Sequence, residues 1–353
     1  MKKLRLVSLS TLMLSMVLMC ACSDKSNSGN SGQTNSPAIH ATEEDVTVDA
    51  GTGFPLGGTL SIPQGAQTPY PCVVLVAGSG SSDRDETVNS NKPFKDIADY
   101  LSSQGIAVLR YDKRPYTYGE KMVNAVGASF TVEEEYIQDV VAASKLVKAD
   151  PRIDANRVFI LGHSEGGMLA PRIDAEGGDF AGVIIMAGSP RSLLDVSYDQ
   201  GIALINATLT GDALTAALAQ QEQQRAFIDS LPTMTDDEAK AVPMGGGVSA
   251  YYYKEMIDHP ASDYLQKIKT PFLIMYGSSD IQISTADFQG YKDLLRDRNN
   301  VTFKEYSGLS HLFMPATKDD VVANMADPSK LYTTPGHVDP QVLADIAEWV
   351  KAN

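Results

Sequence analysis

Cysteine is scarce in this chain of 353 residues, occurring only at Cys20, Cys22 and Cys72. The first two fall at the end of an N-terminal segment read as processed, so Cys72 is the one thiol left to the body and a disulfide within it is excluded. Packing alone must hold the core. Positive charge is also short: 29 Lys and Arg stand against 44 Asp and Glu, a formal net charge of −15, which speaks against nucleic acid as a partner. No Cys and His cluster has metal-ligand spacing, and no Gly-rich phosphate loop precedes a Lys with Ser or Thr. The sequence therefore implies no metal and no cofactor. Internal repeats are missing, and the apolar run over residues 6–19 is too short for a stable membrane span. What is present is 43% hydrophobic content, enough for one large α/β domain with an insertion or for two ordinary domains.

Lys2, Lys3 and Arg5 precede that apolar run and small residues follow it, the layout of a secretory signal. Its end, VLMCACSDKS, resembles a bacterial lipobox, in which the peptidase cuts before a cysteine that carries the lipid. Cys22 fits best, because Ala21 is the small residue wanted before the cut, whereas cutting before Cys20 would put bulky Met19 there. The resemblance implies a signal peptide over residues 1–21, a lipid on Cys22, and a protein held at a bacterial membrane outside the cytoplasm. An ordinary cleaved signal near the same point is the alternative. Ser, Asn and Gly dominate as far as residue 39, so residues 22–42 are expected to be the acylated cysteine and a flexible tether.

From residue 43 to residue 353 strand-like runs alternate with amphipathic helical ones, the pattern of a mostly parallel sheet covered by helices. DVTVDA and GGTLSIP read as an opening antiparallel pair. YPCVVLVAG, IAVLRYD, DANRVFILGHS, AGVIIMAGS, TPFLIMYGSSD and VTFKEYSGLSHLF read as the strands that follow. Pro93 opens a helix that stops at Gly105. Thr131 and Glu134 form a capping box ahead of a face made by Ile137, Val140, Val141, Ser144 and Val147, and Asp339 with Pro340 opens a closing helix through Trp349. Residues from about 195 to 265 hold no strand-like run. Leu214, Ala217, Leu218, Gln221, Arg225 and Ile228 have helical spacing, Thr235 and Glu238 offer another capping box, and a helix dense in tyrosine follows. This stretch is expected to be a helical cap inserted in the sheet.

In RVFILGHSEGGMLA an apolar run stops at Ser164, held between Gly162 and Gly166. Gly-x-Ser-x-Gly between a buried strand and a helix makes a sharp turn in which a Cβ on either side would collide with neighbouring chain, and the serine hydroxyl is presented at the strand tip. The start of the helix offers free N–H groups that favour developing negative charge.

VAGSGSSDRD, NKPF, LRYDKR and GHSEGG together make the chain similar to the α/β-hydrolases, and to bacterial serine esterases carrying a helical cap, over about residues 43–353. The resemblance implies a mostly parallel sheet of about eight strands and a chain order of nucleophile, acid, histidine. Asp280 lies just beyond the next-to-last strand and His311 beyond the last, so Ser164, Asp280 and His311 fill that order. A serine alcohol is a weak nucleophile at neutral pH, so it needs His311 as base and Asp280 to fix and stabilise the imidazole. His40, His163 and His259 lie in the tether, the elbow and the cap; His337 is the one rival base. The backbone N–H of Glu165, and by analogy with relatives that of Ser79, would form an oxyanion hole, with Ala77 standing where many relatives have histidine. Arg84, Asp85, Asp112, Lys113 and Arg114 are read as ion pairs that fix loops near the strand tips. Tyr251, Tyr252 and Tyr253 are read as candidates for the wall of an acyl pocket, against the plainer role of packing.

The expected function is that of a serine carboxylesterase acting on small to medium esters through an acyl-enzyme. An acyl-CoA thioesterase or acyltransferase, a peptidase, and a binding lipoprotein without catalysis are the alternatives. An acidic protein suits polyanionic CoA poorly, and the three residues in family order weigh against loss of catalysis.

Overall fold

A computed structural model describes residues 40–65, 68–317, 319 and 332–353. The expected signal peptide, Cys22 and most of the tether lie outside the described residues.

Eight strands form one sheet in the order β1-β2-β4-β3-β5-β6-β7-β8. β1 (His40–Val48) and β2 (Leu56–Gln64) are antiparallel, and β2 joins β4 (Ala107–Tyr111) antiparallel; β3 (Tyr70–Val76), β4, β5 (Ile153–His163), β6 (Gly182–Met186), β7 (Phe272–Gly277) and β8 (Val301–Tyr306) run parallel. The mostly parallel sheet of about eight strands is thus borne out. β3, β6 and β7 are buried along their whole length, as continuous apolar runs require when helices cover both faces of a sheet. At one edge, β1 exposes Glu43 and Asp45, with Glu44 between them half-buried against Arg152, a charged rim that discourages pairing with another strand. β1 already begins at His40, ahead of the boundary read at residue 43, because pairing with β2 is made by backbone groups and continues past polar side chains.

Two helical readings needed revision. The stretch after β4, read as loop, holds α2 (Arg114–Tyr118) and α3 (Glu120–Val126), broken at Gly119 where φ is 55°. Downstream, Glu134 does reach back to the Thr131 N–H at 2.9 Å, but the first turn (Glu133–Ile137) is π-wound before α4 (Gln138–Lys148) begins. Elsewhere α1 (Pro93–Ser103) packs against the C-terminal helix, and α5 (Glu165–Ile173) continues directly from β5.

Between β6 and β7 the chain leaves the sheet and builds α6 (Leu193–Thr208), α7 (Gly211–Ser230), α8 (Asp236–Lys240), α9 (Ala250–Asp258) and α10 (Ala261–Lys267). The capping box of Thr235 and Glu238 opens α8. Leu194, Ile228, Leu231, Ala239 and Ala250 form a small apolar cluster of their own, while Tyr252 and Leu265 join the main core and fasten this unit to the sheet. α11 (Thr285–Leu294) and α12 (Pro340–Ala352) complete the fold, and Asp339 caps α12 by accepting the Gln341 N–H at 2.8 Å. Among the described residues no helix is long and apolar enough to cross a membrane.

Candidate active site

Ser164 sits at the tip of β5 with φ 54° and ψ −120°, a conformation L-residues seldom adopt, and its N–H is held by the Met186 carbonyl at 2.8 Å. The flanking glycines are demanded by space. A Cβ on Gly166 would lie 2.6 Å from the Ala77 carbonyl, and one on Gly162 would lie 2.6 Å from the Gly167 nitrogen. The elbow therefore wedges α5 between the ends of β3 and β5.

Asp280 follows β7 and is only 2% exposed. Its Oδ1 accepts the N–H groups of Gln282 at 2.7 Å and Ile283 at 3.0 Å, while its Oδ2 faces His311 Nδ1 at 2.7 Å. A carboxylate oxygen accepts, so Nδ1 is the donor in this contact and Nε2 is the ring nitrogen left for other chemistry. His311, in the turn after β8, is itself buried. Its ring lies with centroid 4.7 Å from that of His163, the residue next to Ser164. The rival His337 is exposed and pairs with Asp96 of α1 at 2.9 Å; His259 bonds the Tyr264 hydroxyl at 3.0 Å.

The loop after β3 passes against the serine: a Cβ on Gly78 would be 3.0 Å from Ser164 Cβ. Both sides of Gly78 are occupied. Its N–H donates to Glu86 Oε1 at 2.7 Å, and its carbonyl accepts from Lys113 Nζ at 2.9 Å and Tyr136 Oη at 2.8 Å. Lys113 also meets Glu135 at 3.0 Å. The Glu165 side chain turns into the same buried cluster, near Tyr136 Oη at 3.0 Å and Tyr252 Oη at 3.3 Å. Burial first, then the charge of Glu135, raise the Glu165 carboxyl above its ordinary range, while Lys113, Ser79 and Tyr136 pull it back. The Tyr136 and Tyr252 phenols are pushed well up, by burial first and then by the two glutamates.

Of the ion pairs read from the sequence, Arg84 grips Asp112 at 2.7 Å, Asp85 meets Arg110 and Lys92, and Arg114 meets Asp139. Lys113 differs, because its ammonium reaches the Gly78 loop. The three tyrosines also separate. Tyr251 packs in the cap's own cluster, with Lys240 above its ring. Tyr252 is buried, stacked on Phe130 and bonded to Glu135 at 2.9 Å; Tyr253 packs edge-on against it. An α-helix splays three consecutive side chains over different faces, so the three rings have different neighbours. A cavity of about 310 Å³ between α5, the loop after β6 and the cap is lined by Met168, Leu169, Leu193, Met256 and Ile257 together with the charged Arg172, Arg191 and Asp195, and Ser164, Asp280 and His311 are not among its lining residues. Glu86, His163 and Tyr136 had no part in the site as read from the sequence. Their signal was faint, since each gains meaning only from partners far along the chain.

Residues 88–317 match the Hydrolase_4 family, described as serine aminopeptidase, S33. Esterase EstD of Thermotoga maritima is 34% identical over 311 residues, 87% of this chain and 67% of that protein. Among solved structures, an esterase of Pyrococcus furiosus superposes with a TM-score of 0.52 at 16% identity, covering 88% of this chain and 91% of that one. Est1E of Butyrivibrio proteoclasticus gives 0.52 at 15%, covering 81% and 97%. These two structural likenesses bear on the fold alone. With the eight-stranded sheet and a serine elbow at the end of β5, these matches establish that the chain is a hydrolytic enzyme of the α/β-hydrolase fold and belongs to the Hydrolase_4 (serine aminopeptidase, S33) family.

Proposed function

We propose that this enzyme is a serine carboxylesterase that cleaves small to medium carboxylic esters through an acyl-enzyme, anchored by a lipid on Cys22 at the outer side of a bacterial membrane. The observation that carries the reading is the 2.7 Å contact between His311 Nδ1 and Asp280 Oδ2, made beside a serine held at φ 54° on the elbow. His311 Nε2 takes the proton of Ser164 as the hydroxyl oxygen attacks the ester carbonyl, and Asp280 stabilises the imidazolium so formed. His311 then returns the proton to the departing alcohol. Water repeats the sequence on the acyl-enzyme and frees the acid.

The tetrahedral oxyanion needs donors that are in place beforehand, each worth roughly 2.7–4 kcal/mol. The Glu165 N–H at the start of α5 is one. For the other, the Gly78 carbonyl points at Lys113 and Tyr136, and in a trans peptide the Ser79 N–H then points the opposite way. That orientation favours Ser79. The likeness to Esterase EstD favours an ester over an amide substrate, while the family description keeps an aminopeptidase as the second reading.

Hydrolysis of a p-nitrophenyl acetate series by the purified protein, beside aminoacyl p-nitroanilides, tests the choice. Ester turnover that falls by about 10³-fold or more in a folded Ser164→Ala variant is the expected result. Activity within tenfold of the parent would remove Ser164 from its role, and faster anilide than ester cleavage would favour the aminopeptidase.

A further inference from the structure

We propose that His163 is an imidazolium in the resting protein and that, paired with Glu86, it is a positioning residue fastening the His311 turn to the Gly78 loop. The positioning role rests on the reading of His311 as base; the protonation state does not.

The argument is one of donors and acceptors. His163 Nδ1 lies 2.9 Å from Glu86 Oε1, and Nε2 lies 3.0 Å from the backbone carbonyl oxygen of His311. Both partners are acceptors. A neutral imidazole has one N–H and one lone pair, so whichever tautomer it adopted would aim a lone pair at an oxygen. With Glu86 as a carboxylate, only a ring with two N–H groups satisfies both contacts, whereas a protonated Glu86 donating to Nδ1 would leave the ring neutral, the outcome that overturns the proposal. The same Glu86 Oε1 also accepts the Gly78 N–H at 2.7 Å, as expected of a carboxylate. His163 and Glu86 are both buried, so water cannot mend a mismatch, and a misdirected buried polar group costs about 1–3 kcal/mol.

The loop that delivers Glu86 is built to hold it. Glu86 has φ 51°, and its own N–H is tied to the Asp83 carbonyl at 3.0 Å. Asp83 further accepts the Thr87 N–H at 2.9 Å and its hydroxyl at 2.7 Å. Glu86 thus reaches two places at once: the Gly78 amide beside Ser164, and the ring of the residue preceding Ser164. Through that ring it reaches the backbone of His311. Three segments separated widely in sequence, after β3, β5 and β8, are joined by one carboxylate and one imidazolium. The charged and titratable groups that bear on His163 are Glu86, Asp280 and the His311 ring. Burial disfavours the His163 cation, but the Glu86 carboxylate outweighs it, so the imidazole is held above its ordinary value.

The test is nitrogen NMR on the full chain labelled with ¹⁵N-histidine, which has five histidines, recorded with parent, His163→Gln and Glu86→Gln proteins. At pH 7.5, about one unit above the ordinary imidazole value, the expected spectrum has a histidine with both nitrogens protonated whose signals are missing in His163→Gln. In Glu86→Gln that histidine is expected to lose its proton at least tenfold more readily. A neutral tautomer for His163 at this pH overturns the proposal, and so does a titration that Glu86→Gln leaves unmoved. For positioning, kcat in Glu86→Gln is expected to fall about tenfold to a hundredfold with KM nearly constant, as misplaced groups predict; an unchanged kcat overturns that half. A doubly protonated His163 in a protein that hydrolyses no ester would count against the proposed function alone.

Discussion

Residues around Ser164 owe their chemistry to what holds them still. Tyr136 illustrates this, since its hydroxyl, with Lys113, orients the Gly78 carbonyl and so the Ser79 amide. Tyr136→Phe keeps the ring and removes the hydroxyl's contacts with the Gly78 carbonyl, Lys113 Nζ and Glu165. Steady-state hydrolysis of an acetyl ester should show kcat lowered on the order of tenfold, less than deletion of an oxyanion donor, with KM nearly unchanged; an unaltered kcat would leave the peptide orientation to Lys113 alone. His163 makes a second, pH-dependent case. Its proton is bound more tightly in the folded state, so the pair with Glu86 contributes fully below the ordinary imidazole value of about 6.5. That contribution shrinks as pH rises from there and is gone above the raised folded value. The gap in melting temperature between parent and His163→Gln should therefore be widest in mild acid and close toward alkaline pH, as a thermal-shift series would show. A gap that widens with pH would contradict the sign.

At the scale of elements, the cap and the elbow meet through one side chain. α9 sends the Tyr252 hydroxyl to Glu135 at 2.9 Å and to Glu165 at 3.3 Å, so the first residue of α5 is gripped by the cap. Tyr252→Phe leaves the stacking on Phe130 intact and removes the one hydroxyl proton shared between Glu135, the nearer acceptor, and Glu165, a loss of about 1–3 kcal/mol. Hydrogen exchange should then report faster opening of α9, with the amides of β5 and β6 unaffected. Equal protection in parent and variant would mean that packing alone seats the cap. The wall of the cavity belongs to α5, the loop after β6 and the α9–α10 junction, and Tyr251 is not among its lining residues.

For the whole molecule, the acidic charge and the proposed lipid divide the work of placement. The net charge of −15 gives no attraction to anionic lipid, so membrane residence would depend on acylation at Cys22. Cys22→Ala is expected to move the protein from the membrane to the soluble fraction with ester hydrolysis per molecule unchanged. Retention in the membrane fraction would point to an anchor other than that cysteine.

The sequence by itself determined the strand order of events along the chain: apolar runs ending in Gly, Ser or Asp mark β5 and β7, and a sharp glycine-flanked serine needs only local sterics to be recognised. Helix starts with a side-chain cap were legible for the same reason, since Thr235, Glu238 and Asp339 act within a few residues. The π-wound turn before α4 was not legible, because the capping box marks where a helix starts and says nothing of how its first turn is wound. Nor were Glu86, His163, Lys113 and Tyr136 as parts of the site. His163 and Glu86 are 77 residues apart and Lys113 and Gly78 are 35 apart, so no local pattern pairs them. Only the parallel sheet, which brings the ends of β3, β4, β5, β7 and β8 to one edge, decides which carboxylate faces which imidazole and carbonyl. In a buried site those pairings, rather than residue types, set where the protons lie.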